Sequence, residues 1–175
     1  MKNYKLTLLF FALFYCFTFA NGQSKTSGFS INPKLGIYNW DGSYWEGFVG
    51  GMEFNYFREG WIFSIDYLNY AEFALFSIED HFNQSGIMIG RYYGDRLLRI
   101  QLQGGIAPTW GTRHDNNSNF DNFFTMGLVL KTGLKFIPFR FFSVGLDLQS
   151  NINSKKLAYM PMISFEIGKL RDKIK

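Results

Sequence analysis

Cysteine occurs once in the 175 residues, at Cys16, histidine twice, at His81 and His114, and proline four times. A single thiol cannot form a disulfide within the chain or furnish a cysteine-ligated zinc site. Two histidines far apart in sequence leave little material for a metal or acid–base centre. Beyond residues 6–19 no apolar run approaches the about 20 residues that a membrane-spanning helix needs, so a helical membrane protein is excluded. A large charge of one sign is missing too. Setting aside Lys2 and Lys5 of the leading segment, the formal +4 becomes 16 basic against 14 acidic side chains, which gives no footing for a nucleic-acid partner.

The chain is instead rich in flat rings and glycine: aromatics are 20% of residues and Gly numbers 18. Rings pack well on a pleated surface and Gly serves turns and crowded interiors, so this pairing favours β structure. The length suits one domain that folds without metal or disulfide support.

Residues 1–22 have the plan of a secretory signal. Lys2 and Lys5 form a positive start, Leu6 to Phe19 an apolar stretch, and Ala20-Asn21-Gly22 a small-residue cleavage site before Gln23. The apolar stretch is too short to span a bilayer as a helix, and polar residues follow it at once. A lipid anchor on Cys16 would need a small residue before it, where Tyr15 stands. The expected organisation is therefore a signal peptide over 1–22 and one domain over 23–175.

From Phe29 onward, apolar and polar residues alternate with a period of two, the mark of strands with two unlike faces. The pattern recurs about eight times. It is clearest where Leu98, Ile100, Leu102 and Ile106 oppose Arg99, Gln101, Gln103 and Gly105, and weakest from Phe82 to Tyr93, where Ile87-Met88-Ile89 is apolar on both faces. Arg58-Glu59-Gly60, Gly94-Asp95-Arg96 and Pro138-Phe139-Arg140 are short connections, whereas those over 40–47, 71–81, 112–122 and 151–156 are longer. Antiparallel neighbours then place every short turn at one end and every long loop at the other, as in bacterial outer-membrane barrels, whose turns face the periplasm.

The contents of the two faces separate a membrane barrel from a soluble one. An eight-stranded barrel is only wide enough inside for side chains to fill it. One face carries large apolar groups too bulky to share that space, so it is expected to point outward into lipid. The lumen then receives Lys34, Arg99, Lys131, Lys135 and Arg91 against Glu53, Asp66, Asp147 and Glu166, a set expected to interlock as ion pairs rather than line an open channel. Tyr56, Trp61, Tyr92, Tyr93, Phe136, Phe139, Phe141 and Phe142 flank the short turns, and Trp40, Tyr44, Trp45, Tyr70, Trp110 and Tyr159 the long loops, as two interfacial girdles. The tail 169–175 is expected to be solvated.

Over essentially its whole mature length the chain resembles the small eight-stranded outer-membrane proteins of the OmpA/OmpX type. The resemblance is architectural. It implies an all-β, antiparallel up-and-down transmembrane barrel in the outer membrane, with periplasmic termini. The partners implied are outer-membrane lipid, lipopolysaccharide and the outer-membrane assembly machinery; the barrel is expected to be a monomer, and the sequence specifies no ligand for the loops.

Chemistry-bearing patterns are few. Glu79-Asp80-His81 and His114-Asp115-Asn116-Asn117 could hold a divalent cation or lipopolysaccharide phosphates, but both read more simply as hydrated loops. Phe73, Leu75, Phe76 and Ile78 make the first of these loops unusually apolar, as if it lay on the membrane rim. Leu148-Gln149-Ser150-Asn151 is similar to the His-x-Ser-Asn motif of the outer-membrane lipid A deacylases, with Leu148 in place of the activating histidine. No residue is therefore assigned a catalytic, metal-binding or cofactor-binding role, and no cofactor is expected. The reading is a non-enzymatic surface or envelope-support protein; the alternatives are a lipid A-modifying hydrolase and a narrow pore.

Overall fold

The computed structural model describes residues 27–39, 47–72, 81–94, 97–114, 120–154 and 157–170. The candidate signal segment, Trp40, Tyr44, Trp45, the apolar stretch Phe73 to Ile78, Glu79, Asp80 and the 115–119 loop lie outside the described residues. Within them every regular element is a strand: β1 (Gly28–Tyr38), β2 (Gly47–Arg58), β3 (Trp61–Glu72), β4 (His81–Tyr93), β5 (Leu98–His114), β6 (Phe120–Phe139), β7 (Phe142–Asn153) and β8 (Leu157–Gly168). Each pairs antiparallel with the next, and β1 pairs with β8 to close the barrel. The expected up-and-down architecture is thus the observed one, and closure gives every strand a neighbour on both sides.

Alternation sorts the side chains as their chemistry requires. Ile31, Leu35, Met52, Ile65, Ile87, Ile106, Leu128, Leu146 and Ile163 are all about half exposed on the outer wall, while Lys34, Glu53, Asp66, Lys131 and Asp147 are buried inside it. Arg91 departs from the expectation. Ile87 and Ile89 both face outward, and a period of two carries Arg91 out with them, where its guanidinium lies over the Trp61 ring at 4.4 Å.

The interior is also less uniformly polar than the sequence suggests. At the loop end Tyr38, Val49, Leu68, Tyr70, Phe82 and Met160 form a buried apolar layer, and Phe123 packs against it. Phe57, Ile62, Tyr92, Ile137 and Leu170 form another at the turn end. Tyr70 and Tyr92, expected in the girdles, are therefore lumen residues: closing each mouth excludes water from the charges between. Leu170, expected in a solvated tail, is held under the barrel by its amide, which donates to the Arg140 carbonyl at 2.9 Å.

Two strands overrun their expected ends. Pairing of β5 with β6 continues to His114 and Phe120, whereas β7 leaves β6 at Gly127. The β5–β6 hairpin therefore projects past its neighbour. The polar residues Asp121 and Asn122, expected in a loop, belong to this strand. At the other end β6 runs to Phe139, so the turn is Arg140-Phe141 rather than Pro138 to Arg140, with a register shift between Phe136 and Phe139.

The β2–β3 connection is a two-residue turn in which Glu59 (φ 50°) and Gly60 (φ 84°) are both left-handed, the primed geometry that matches strand twist. Glutamate is a poor fit at that φ. Glu59→Asn is expected to raise the denaturant midpoint of the folded barrel, by about 1 kcal/mol of relieved backbone strain, whereas a β-branched Glu59→Val should lower it.

Candidate functional site

Glu53 is the hub of the lumen. Its side chain is fully buried and reaches two cations at once: Lys34 Nζ donates to Oε2 at 2.5 Å, and Lys131 Nζ donates to Oε1 at 2.7 Å and Oε2 at 2.5 Å. Asn32 Nδ2 adds a bond to Oε1 at 3.3 Å. Lys34 also approaches Asp147 Oδ2 at 3.6 Å, and Lys135 donates to the same oxygen at 2.9 Å and to Ser164 Oγ. Asp66 accepts from Gln149 Nε2 at 2.9 Å, and the wall makes room for it at Gly86, where a Cβ would collide with Asp66 Oδ1.

A second group lies nearer the turn end. Glu166 accepts from Ser30 Oγ at 2.6 Å, Ser143 Oγ at 3.2 Å and Asn55 Nδ2 at 3.3 Å, with Arg99 Nη1 at 3.9 Å. Arg99 is fixed from three sides. Its guanidinium lies 4.7 Å from the Phe57 ring centre and 4.8 Å from that of Tyr92, and Nη2 donates to the Leu170 carbonyl. These aromatics belong to the apolar layer closing that end, so plug and ion pairs brace each other.

With Arg91 outside, the buried cations among the described residues are Lys34, Arg99, Lys131 and Lys135, and the buried anions Glu53, Asp66, Asp147 and Glu166. Four oppose four, one fewer cation than the sequence reading supplied. A neutral lumen is what a low-dielectric enclosure demands, because a surplus buried charge would cost several kcal/mol.

The remaining patterns stay apart. His81 opens β4 and is exposed, with Nε2 3.0 Å from Asn69 Nδ2. Tyr67 Oη and Asn69 Nδ2 both donate to Asn83 Oδ1, at 2.7 Å and 2.9 Å, making a small polar cluster on the outer wall that the sequence reading did not single out. His114 ends β5. Ser150 and Asn151 fall on opposite faces of the wall. Asn151 is buried and donates to Gln84 Oε1 at 2.7 Å, while Ser150 pairs in register with Leu130 and Tyr159. Neither register neighbour is a base. His81 lies on β4, three strands around from Ser150 on β7.

A closed antiparallel barrel of eight strands with this inverted polarity has the fold of the small outer-membrane barrels. It is similar to the N-terminal β-barrel domain of Pseudomonas aeruginosa OprF, at 15% identity over 83% of this chain and 98% of that one, with a TM-score of 0.66. Neisserial surface protein A is likewise similar (12% identity, 84% and 99% covered, TM-score 0.63), as is Ail, the attachment invasion locus protein of Yersinia pestis (13%, 83% and 99%, TM-score 0.61). At these identities the likeness carries the fold alone. No protein-family model and no curated protein matches the chain.

Proposed function

We propose that residues 1–22 export the chain and are removed, and that residues 23–175 insert as a monomeric, non-enzymatic barrel of the outer membrane. Its turn end and termini face the periplasm, its loops face outward, and its lumen is sealed. The observation that carries this reading is the inversion of polarity. Soluble monomers rarely expose contiguous apolar patches beyond a few hundred Å², yet here aliphatic and aromatic side chains such as Phe29, Leu35, Phe54, Ile65, Leu98, Leu128 and Ile163 are 45–64% exposed right around the wall. Only hydrocarbon accepts such a surface, and a sheet can enter it with its backbone groups paired only when it closes on itself.

A sealed lumen favours a surface or structural role over conduction. The ion-paired layer is closed at one mouth by Tyr38, Tyr70 and Met160 and at the other by Phe57, Tyr92 and Leu170, all essentially inaccessible. The projecting β5–β6 hairpin lies at the loop end, where the barrel would meet lipopolysaccharide or another surface partner. Two of the similar structures are of proteins named for the surface or for attachment, in keeping with that role.

Membrane fractionation with gel mobility before and after boiling tests the placement: the protein is expected in the outer membrane, migrating faster unboiled. Recovery as a soluble monomer from detergent-free buffer would overturn it. In planar bilayers the folded protein is expected to give no resolved conductance steps; regular openings would show that the plugs do not close the lumen.

A further inference from the structure

We infer that the outer wall over β2 to β5, at the turn end, is a binding site for an anionic phospholipid, with the headgroup phosphate held between Arg58 and Arg91 and an acyl chain lying in the groove beside them. This rests on the membrane reading above. Arg58, Trp61 and Arg91 occupy one register row across three adjacent strands. All three point outward, and neighbouring strands are about 4.8 Å apart, so two arginine positions flank one tryptophan along the row. Stacking on Trp61 occupies the face of the Arg91 guanidinium and steadies it, while its in-plane N–H groups stay free for the forked bonds that phosphate accepts. Among the described residues neither arginine is in an ion pair.

Two residues along each strand, the chemistry changes. Tyr56, Phe63, Ile89 and Gly104 form a parallel row, and with Ile65 and Ile87 they line an apolar groove of about 360 Å³. Gly104 faces outward and is its floor. A Cβ added there would meet Leu130 Cδ2 at 3.6 Å, an ordinary van der Waals contact, so the position can carry a side chain and its lack of one keeps the groove deep. Paired cations at the interface next to an open hydrocarbon groove match a phosphate esterified to a fatty chain.

The test uses the full barrel folded in detergent, supplied with equimolar phosphatidylglycerol and phosphatidylcholine, with retained lipid read by native mass spectrometry. Phosphatidylglycerol is expected to be retained about 25-fold over phosphatidylcholine, taking about fivefold for each basic side chain at an anionic surface. Arg58→Gln and Arg91→Gln should each remove about fivefold. Arg140→Gln, another cation of the turn end, should leave the ratio unchanged, and Gly104→Leu should weaken retention of both lipids by filling the groove. Equal retention of the two lipids by the unmodified barrel, or an equal loss on Arg140→Gln, overturns the inference. So does displacement of the lipid by glycerol 3-phosphate at the same concentration, which would show a site for phosphate without the chain. Heat-dependent mobility of every sample is read alongside: a chain that forms no barrel in detergent sinks the membrane reading and this inference with it, whereas a folded barrel without preference sinks the inference alone.

Discussion

Glu53→Gln is expected to destabilise the barrel by about 3–5 kcal/mol, the cost of leaving buried cations without their anion. The substitution keeps the shape of the side chain and removes only its charge. Lys34 and Lys131 then face a neutral amide inside a closed wall, and the lumen goes from four against four to four against three. Lys34 retains Asp147 at 3.6 Å, but Lys131 has no second anion within ion-pair distance among the described residues and bears most of the loss. Denaturant unfolding in lipid vesicles, followed by tryptophan fluorescence, reads the change. Lys131→Met added to Glu53→Gln restores neutrality and should recover much of the stability; a double variant as damaged as the sum of its singles would mean that the two side chains do not interact. A change below about 1 kcal/mol for Glu53→Gln would place the carboxylate in water, as in an exposed pair, and would reopen the pore reading.

The same network shows where the sequence is informative and where it stops. Period-two alternation reports which residues share a face, and the bulk of the apolar set decides which face points out. Strand count, antiparallel order and the lumen identity of eight charges follow from those two facts. Pairing does not. Lys131 meets Glu53 across 78 positions, a contact that exists only because the sheet closes. The facing of Arg91 is not legible, because Ile87-Met88-Ile89 is apolar on both faces and only the neighbouring strands set the register. Tyr70 and Tyr92 failed for a different reason: an aromatic near a strand end serves equally well in a girdle or as a plug, and one position of parity separates the two. The extension of β6 was hidden because Asp121 and Asn122 carry loop chemistry. What alternation does show is that residues 148 and 150 share a face of β7, so the deacylase-like pattern fails on chemistry alone: Leu148 offers Ser150 no base.

Ile65→Arg distinguishes a barrel in lipid from one in water, because the two settings give opposite signs. Ile65 is 56% exposed near the middle of β3, in register with Phe54 on one side and Ile87 on the other. Were the wall wet, an arginine there would be harmless and would relieve an apolar patch. In hydrocarbon it sits at the depth where a cation costs about 2–4 kcal/mol, a penalty that falls to about 0–1 kcal/mol near the interfaces. Leu98→Arg supplies that comparison. Leu98 is equally open, at 54%, but is the first residue of β5 beside a short turn, where the side chain can reach the headgroups. Folding into vesicles, measured as the fraction that migrates fast without boiling and as the unfolding midpoint, should therefore fall sharply for Ile65→Arg and little for Leu98→Arg. Equal penalties would mean that depth does not matter and that the wall faces something other than a bilayer. No penalty at Ile65 would put the apolar belt in water, and the lumen charges would then have to be explained without a membrane around them.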